Sequence, residues 1–420
     1  MIKAVRGFKD LLPEEAGVFR WLEEQAREIL RRYGFSEIRL PILERTELFA
    51  RSIGESTDIV EKEMYTFQDR SGDSLTLRPE ATAGVVRAFI EHGLYNRPKP
   101  LKLFTIGPMF RHERPQKGRL RQFHQIDVEV FGAASAGMDA ELVALALGIL
   151  RAGGARDLRL EINSLGCPGC RGPYREALRE FLFSRRERLC EDCRRRAERN
   201  PLRALDCKRE GCQREYQEAP MLSAFLCEDC RRHYQHFKTY LQEGGILFIE
   251  NPRLVRGLDY YTRTIFEIKA PGLGAQDTVA AGGRYDGLVS ALGGPETPAV
   301  GFAIGMERWW LVSRGSQREV AAPDLFIAPL GEEARRWAFR LAALLRDRGL
   351  KVESDYEGRS LKALLRQADR LSARWALILG EQELQEQRAL LRDLASGTQL
   401  SLPFRDLEDL LNRVLIEILF

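Results

Sequence analysis

All eight cysteines of this 420-residue chain fall between residues 167 and 230, in four short pairs: Cys167/Cys170, Cys190/Cys193, Cys207/Cys212 and Cys227/Cys230. No other feature limits the fold of the mid-chain so tightly. Three pairs are C-x2-C and one is C-x4-C, spacings that suit tetrahedral thiolate zinc sites. In a reducing compartment disulfides are disfavoured, so the expectation is two four-cysteine structural zinc sites. Four thiolates leave a metal no open position, which assigns these sites to folding and not to catalysis. The spacing leaves open which pairs share an ion. It also leaves open the blander reading of eight small apolar residues, and His233 and His236 stand nearby as substitute ligands.

Around this segment the periodicity changes. Residues 13–33 carry Phe19, Leu22, Ala26, Ile29, Leu30 and Tyr33 at three- and four-residue spacing, with Gly34 as a stop, which predicts an amphipathic helix. An extended piece follows at 37–40, ended by Pro41. Strand-like runs occupy 64–68, 75–78, 101–107 and 122–131, and Arg78-Pro79-Glu80 is expected to open a helix with proline in its first turn. Residues 167–245 read as helical. Strand signals return at 246–249, 264–270, 278–282 and 300–304. The prediction is an α+β domain built on an antiparallel sheet with flanking helices, interrupted by an inserted helical subdomain. A polar linker at 313–323 precedes alternating strands and helices, a C-terminal α/β unit. The expected divisions are 1–166 and 246–318 for the sheet domain, 167–245 for the insertion and 323–420 for the last unit.

Composition excludes several classes. With 44% apolar and 30% charged residues the chain is neither disordered nor fibrous. It carries no apolar signal core behind Lys3, Arg6, Lys9 and Asp10, and no run of about 18 apolar residues that could span a membrane. A cytoplasmic location is therefore expected. The net charge of +4 says little about nucleic acid. Residues 171–214, however, hold thirteen Arg and one Lys against eight Asp or Glu. That excess fits either an RNA-facing patch or a solvated, ion-paired helical surface.

Neither G-x-x-x-x-G-K-[ST] nor G-x-G-x-x-G occurs, so any nucleotide phosphate must be held by side chains. Arg111 is the candidate, because guanidinium is permanently charged and two-pronged toward phosphate. It ends an apolar run beside Glu113. Arg119 and Arg121 follow the turn at Gly118, and a hairpin would bring Phe123 back to Arg111, one to stack on a base and the other to hold a phosphate. Val300-Gly-Phe-Ala-Ile-Gly-Met-Glu-Arg308 repeats the pattern of a strand feeding an arginine on a helix. Taken singly, such arginines are most often solvated surface groups.

Together these segments resemble the class II aminoacyl-tRNA synthetases, with 34–41, Arg111 and Arg308 in the three signature motifs; H-I-G-H and K-M-S-K-S of the other class are absent. Leu77-Arg-Pro-Glu80-Ala-Thr82, Phe123-His-Gln125-Ile-Asp-Val-Glu129 and Arg256-Gly-Leu-Asp-Tyr-Tyr261 are similar to the histidyl member of that class. The resemblance extends over essentially the whole chain, including Arg6-Gly-Phe-Lys-Asp10 and Gly282-Gly-Arg-Tyr-Asp-Gly287. It implies that Glu80, Thr82 and Gln125 hold the α-amino group of L-histidine, that Glu129 and Tyr261 bracket the imidazole, and that Tyr260 joins the same pocket. Arg256 would contact the carboxylate and α-phosphate, sharing catalysis with Arg111. Glu113, Arg119, Phe123 and Arg308 would complete the ATP site, with Mg²⁺ bridging phosphates to a carboxylate. Arg114 and Gln116 would face the acceptor end of tRNA(His), the C-terminal unit its anticodon, and the Arg-rich insertion its acceptor arm. A homodimer is implied by the resemblance alone. An imidazole offers nitrogen on two sides, so selecting it takes a partner at each.

One departure is Ala81 where the family pattern has glycine, a change that removes no functional group. The cysteine pairs are the larger departure. Two competing functions follow: a synthetase-like regulatory subunit of ATP phosphoribosyltransferase, which senses histidine without charging tRNA, and a zinc-bearing RNA-binding protein with a dead catalytic sheet. The complete C-terminal unit weighs against the first and the intact arginines and acids against the second.

Overall fold

The computed structural model describes residues 2–54, 57, 59–207, 209–274, 277–313 and 322–419. The chain forms two compact units, Met1–Gln317 and Arg318–Phe420. Most of the expected 313–323 linker lies outside the described residues.

The first unit is organised by an eight-stranded sheet. Its spatial order is Ser36–Glu37, Leu101–Phe110, Gln122–Phe131, Ala299–Gly305, Thr278–Arg284, Thr262–Lys269, Arg159–Ser164 and Ile249–Glu250. The six central strands pair antiparallel, but each edge strand is parallel to its neighbour. One face is covered by helices Pro13–Arg32, Ala136–Ala152, Glu228–Glu243 and Met306–Val312 around a core that includes Leu22, Val128, Leu145, Phe237, Phe266 and Trp309. Helix Ala136–Ala152 is buried almost all round, and Ser135 caps it by accepting from the Met138 amide, a bond worth about 1 kcal/mol.

The sequence expectations hold in kind and shift in detail. Leu75 and its neighbours form strand Ser74–Leu77, paired in a separate three-stranded sheet with Leu43–Arg45 and Tyr65–Gln68. Arg78-Pro79-Glu80 does not open the next helix, which runs Thr82–Glu91. Arg78 is held extended instead: its amide bonds to the Ile42 carbonyl and its carbonyl to the Phe110 amide, as suits a residue before proline. Glu80 then accepts from the Ala83 amide at 2.9 Å and caps the helix. Ala81 sits at φ −102°, ψ −26°, a backbone any L residue adopts, so no glycine is required there. Of the piece at 37–40 only Ser36–Glu37 is strand. The strand expected at 246–249 starts at Ile249, because Ile246 is still finishing the preceding helix: its amide bonds to the Leu241 carbonyl across Gly245, at φ +66°.

The insertion is helical throughout, with Pro168–Ser184, Glu191–Arg199, Pro201–Ala204, Glu210–Glu215 and Glu228–Glu243, and it shares a core with Tyr261, Ile265 and Leu254 of the sheet domain. In the second unit, strands Val352–Ser354, Leu325–Leu330, Trp375–Gly380, Arg388–Asp393 and Gln399–Pro403 form one sheet, the first three parallel and the rest antiparallel. Helices Glu332–Asp347 and Leu407–Leu419 pack on Leu325 and Ile327, while Leu361–Arg370 packs on Phe326 and Ala328 of the opposite face.

A buried ion cluster joins three elements of the first unit. Arg284 is fully buried and donates to Asp139 at 2.5 Å and to Asp286 at 2.9 Å; His233 meets the other Asp139 oxygen at 2.8 Å. His233 is thus taken by a carboxylate and is not a metal ligand. Removing one partner of a buried pair strands the other's charge. Arg284→Met is expected to cost about 3–5 kcal/mol of stability, read as a lower denaturant midpoint; a loss below about 1 kcal/mol would show that water already reaches the cluster.

Candidate active site

The site is built on the face of the sheet away from the helix-covered core. Side chains alternate along a strand, so Gln122–Phe131 sends Ile126, Val128 and Val130 into the core and turns Phe123, Gln125, Asp127 and Glu129 the other way. The neighbouring strand Ala299–Gly305 does likewise: Val300, Phe302 and Ile304 enter the core, leaving Gly301, Ala303 and Gly305 on the site face. A Cβ at Gly301 would collide with the Glu129 carboxylate and the Val128 carbonyl. Small residues here leave room above the sheet, and the result is a cavity of about 470 Å³.

The cavity brings together Glu80, Thr82, Arg111, Glu113, Arg119, Phe123, Gln125, Arg256, Tyr260, Tyr261 and Arg308 from segments more than 200 residues apart. Glu129 lies behind this surface. It is fully buried, accepts from the Thr82 hydroxyl at 2.6 Å, and accepts a short bond from Tyr285. Tyr260 and Tyr261 lie beside it with ring centres 4.8 Å apart. Arg114 and Gln116 stand exposed on the hairpin loop and do not line the cavity.

The guanidinium groups are individually tethered. Arg111 donates to the Pro79 carbonyl at 2.8 Å and lies 5.3 Å from the Phe123 ring centre, the proximity expected of the hairpin. Arg119 pairs with Glu113 at 2.9 Å. Arg308 donates to the Thr278 carbonyl. Burial and then Arg119 lower its pKa to about 10, so it remains charged at neutral pH. Arg256 bonds Glu267 at 2.6 Å and lies over the Tyr261 ring at 5.5 Å. The second Glu267 oxygen accepts from Thr278 at 2.8 Å, which fixes the pair.

The acidic wall is the chemical opposite. Among the described residues Glu80 Oε2, Gln125 Oε1 and Asp127 Oδ2 are buried with no hydrogen-bond partner. Burial, then the nearby Glu80, push Asp127 up to about 8, against Arg78 and Arg111. Burial raises Glu129 to about 8 as well, over the opposing bonds from Thr82 and Tyr285 and with help from Asp127 and Glu80. Glu80 is raised chiefly by burial. Orphaned acceptors beside acids that resist ionisation make a receptor for a cation or ammonium donor.

Three contributors escape the sequence reading. Asp127 could have been found, since it shares the two-residue period of Gln125 and Glu129. Glu267 and Glu307 carry no local signal. Glu307 becomes relevant only because the start of its helix meets the strand, where its carboxylate accepts from the His124 amide at 3.0 Å and Nδ1 at 2.9 Å.

The eight cysteines resolve into two groups, Cys167/Cys170/Cys227/Cys230 and Cys190/Cys193/Cys207/Cys212, the sulfurs of each lying within 4.8 Å of one another. Each group can hold a metal ion, and no histidine belongs to either. Sulfur separations of 3.6 Å for Cys167/Cys170 and 3.9 Å for Cys190/Cys207 bracket the roughly 3.8 Å edge of a tetrahedron with zinc–sulfur bonds near 2.3 Å.

Comparison with known proteins agrees with this geometry. A family profile described as "Histidyl-tRNA synthetase" matches residues 7–309, and one described as "Anticodon binding domain" matches residues 324–413. The chain belongs to the histidyl-tRNA synthetase family. It is 54% identical over 398 residues to the histidine–tRNA ligase of Trichlorobacter lovleyi, covering 95% of both chains. It is 50% identical to that of Caldanaerobacter subterraneus subsp. tengcongensis, covering 97% of this chain and 99% of the relative. The apo histidyl-tRNA synthetase of S. aureus superposes with a TM-score of 0.82 at 38% identity, over 98% of this chain and 99% of that one. A structure described as an ATP phosphoribosyltransferase regulatory subunit/histidyl-tRNA synthetase from Bacillus halodurans C shares the fold at 21% identity, with a TM-score of 0.65 over 90% of this chain and 98% of that one.

The raised acids have a consequence for stability. Groups with a folded pKa near 8 and an unfolded value near 4 bind protons more tightly when folded. Their contribution is fully present below pH 4 and is lost as pH rises to about 8. The stability of the ligand-free protein, relative to an Asp127→Asn/Glu129→Gln double variant, is expected to decline across pH 4–8 in denaturant titrations. A pH-independent difference between the two proteins would remove these acids from the buried, protonated state.

Proposed function

We propose that this member of the family acts as a histidine–tRNA ligase, joining L-histidine to ATP to give histidyl-adenylate and pyrophosphate, then passing the histidyl group to the 3′ end of tRNA(His). The observation that carries the residue assignment is the meeting of two kinds of group in one cavity: buried, unpaired acceptors at Glu80, Gln125 and Asp127, and the cations Arg111, Arg256 and Arg308. An amino acid activated by ATP carries an ammonium on one side and a carboxylate next to a phosphate on the other.

In this reading Glu80, Thr82 and Gln125 hold the α-ammonium, and Asp127 behind them loses its proton to solvent as that charge arrives. Glu129 and Tyr261 receive the two imidazole nitrogens, with Tyr260 closing the pocket. The histidine carboxylate attacks the α-phosphorus, and the bond to the departing pyrophosphate breaks. Arg256 and Arg111 neutralise charge that grows on the phosphoryl oxygens, which is where positioned cations contribute most to rate. Phe123 stacks on the adenine, while Glu113, Arg119 and Arg308 orient the triphosphate. Mg²⁺ would supply further neutralisation of phosphate charge when bound, and Glu113, Glu267 and Asp277 are among the carboxylates that line this cavity. Arg114 and Gln116, exposed on the hairpin loop, meet the acceptor end of the tRNA in this reading.

The proposal extends to the metals, the tRNA and the assembly. Zinc occupies both cysteine groups in a structural role. The second unit reads the anticodon. The insertion meets the acceptor arm with whatever positive charge it leaves unpaired, since Arg179, Arg185, Arg186, Arg188, Arg195 and Arg199 sit in ion pairs. The protein is a cytoplasmic homodimer; exposed Leu43 and Phe67 on the three-stranded sheet, with Ile42 next to Leu43, support an apolar contact there.

The test is histidine-dependent exchange of pyrophosphate into ATP, followed by charging of tRNA(His). Both are expected. Absence of both would favour a histidine-sensing regulator of ATP phosphoribosyltransferase. Arg256→Ala is expected to lower exchange by about 10²–10³-fold with the folded circular dichroism spectrum retained, and near-normal exchange would strike Arg256 from the catalytic set. Elemental analysis is expected to find two zinc ions per chain.

A further inference from the structure

The loop that carries the histidine motif, residues 256–261, is gripped from the insertion at two points, and each grip lies beside one cysteine group. Arg171 follows Cys170 directly and donates to the Tyr261 carbonyl at 3.0 Å. The same cysteine group touches the next strand: the Arg263 amide bonds to the Gly166 carbonyl at 2.9 Å, and the Leu165 amide to the Arg263 carbonyl at 2.6 Å. Across the insertion, Arg203 is buried, donates to the Gly257 carbonyl and lies 3.7 Å from Asp259. Asn200 adds bonds of 3.1 Å to both Asp259 oxygens.

The second grip cannot support itself. Arg203 belongs to a helix of only four residues, Pro201–Ala204, far below the length at which a helix is stable alone. Its C-terminal end is fixed by the second cysteine group: Cys193 sulfur lies 3.9 Å from the Ala204 carbonyl, and the Cys207 amide bonds to that carbonyl at 3.0 Å. An ion joining Cys190, Cys193, Cys207 and Cys212 would lock this turn, and with it the guanidinium that reaches the motif. The first group does the same for Arg171, since the Cys227 amide bonds to the Cys170 sulfur at 3.1 Å across the neck of the insertion.

We propose that the two tetrathiolate metal centres form a clamp on the histidine-binding loop, with Arg171 and Arg203 as positioning residues that transmit metal occupancy into histidine affinity. This rests on the zinc reading above and goes beyond it. The metals are structural in coordination, yet their effect is on one substrate. The arginines hold backbone carbonyls and a carboxylate of the loop, so loosening them disorders Arg256, Tyr260 and Tyr261. Arg111, Phe123 and Arg308 are tethered by other elements of the sheet domain. Histidine binding, and through Arg256 the rate of adenylate formation, are therefore sensitive to the clamp, whereas the groups that hold the adenine and the outer phosphates of ATP are not.

The experiment measures KM for histidine and for ATP in pyrophosphate exchange, with zinc content, for the full chain. Five samples are compared: wild type, Arg203→Gln and Arg171→Gln/Arg203→Gln as purified, and wild type and the double variant stripped by a chelator and desalted into Mg²⁺. Stripping is expected to raise the histidine KM about 10–100-fold, the range for lost support around a metal site, with the ATP KM within about twofold. The arginine variants should retain both zinc ions and a folded circular dichroism spectrum, and raise the histidine KM while leaving the ATP KM unchanged. Stripping the double variant should add little, because the same linkage is already broken. Wild-type histidine KM in the variants, or an equal rise in both KM values, would overturn the clamp. Less than about half a zinc per wild-type chain would refute the metal reading and the dependence on occupancy, while the variants still report on the arginine contacts. If stripped protein unfolds by circular dichroism, the variants decide the question.

Discussion

Placing several carboxyl groups in the dry interior of a sheet domain is the constraint on which the rest of this structure depends. Glu80, Asp127 and Glu129 converge from a helix cap and one strand, and each is buried. Such a cluster is unfavourable unless protons, hydroxyl donors or cations offset it. Thr82 and Tyr285 serve Glu129, and Arg78 stands beneath Asp127. The unsatisfied remainder is directed at the cavity. Instability of the empty site and affinity for a cationic ligand are therefore the same quantity seen from two sides.

Much of this was legible because it is written in local periods. The hairpin carrying Arg111 and Phe123 follows from strand, turn and strand, and the helix at 13–32 from its apolar stripe. The interruption of the sheet domain is visible as a change of period at 167. The cysteine spacing indicates tetrahedral sites, but the partnership of the outermost pairs with each other, and of the inner pairs with each other, depends on where distant helices pack. Glu267, Arg203 and Arg171 were not legible. Each acts by meeting a group far along the chain, and a lone arginine in an arginine-rich segment looks like any other. The helix expected at Pro79 failed for a similar reason, since two long-range backbone bonds at Arg78 outweigh a favourable local position for proline.

The basic insertion also shows why charge counts mislead. A local excess of arginine suggests nucleic acid, yet many of these guanidiniums are consumed within the subdomain. Arg185 bridges Glu215 and Glu218, Arg186 meets Glu198, and Arg194 donates to the backbone carbonyls of Arg186, Glu187 and Leu189. Exposed pairs of this kind contribute little each. What distinguishes Arg171 and Arg203 is the target of the bond and not the charge itself.

The two ends of the insertion leave the sheet at adjacent positions. Strand Arg159–Ser164 leads out, and Ile249–Glu250 returns beside it with Glu161 opposite Ile249. Such a segment can be gained or shed in evolution without rethreading the parent domain. An accessory module attached this way begins as an ornament. Once its side chains hold the 257–261 loop that borders the cavity, as Arg171 and Arg203 do, a detachable graft has become part of the site.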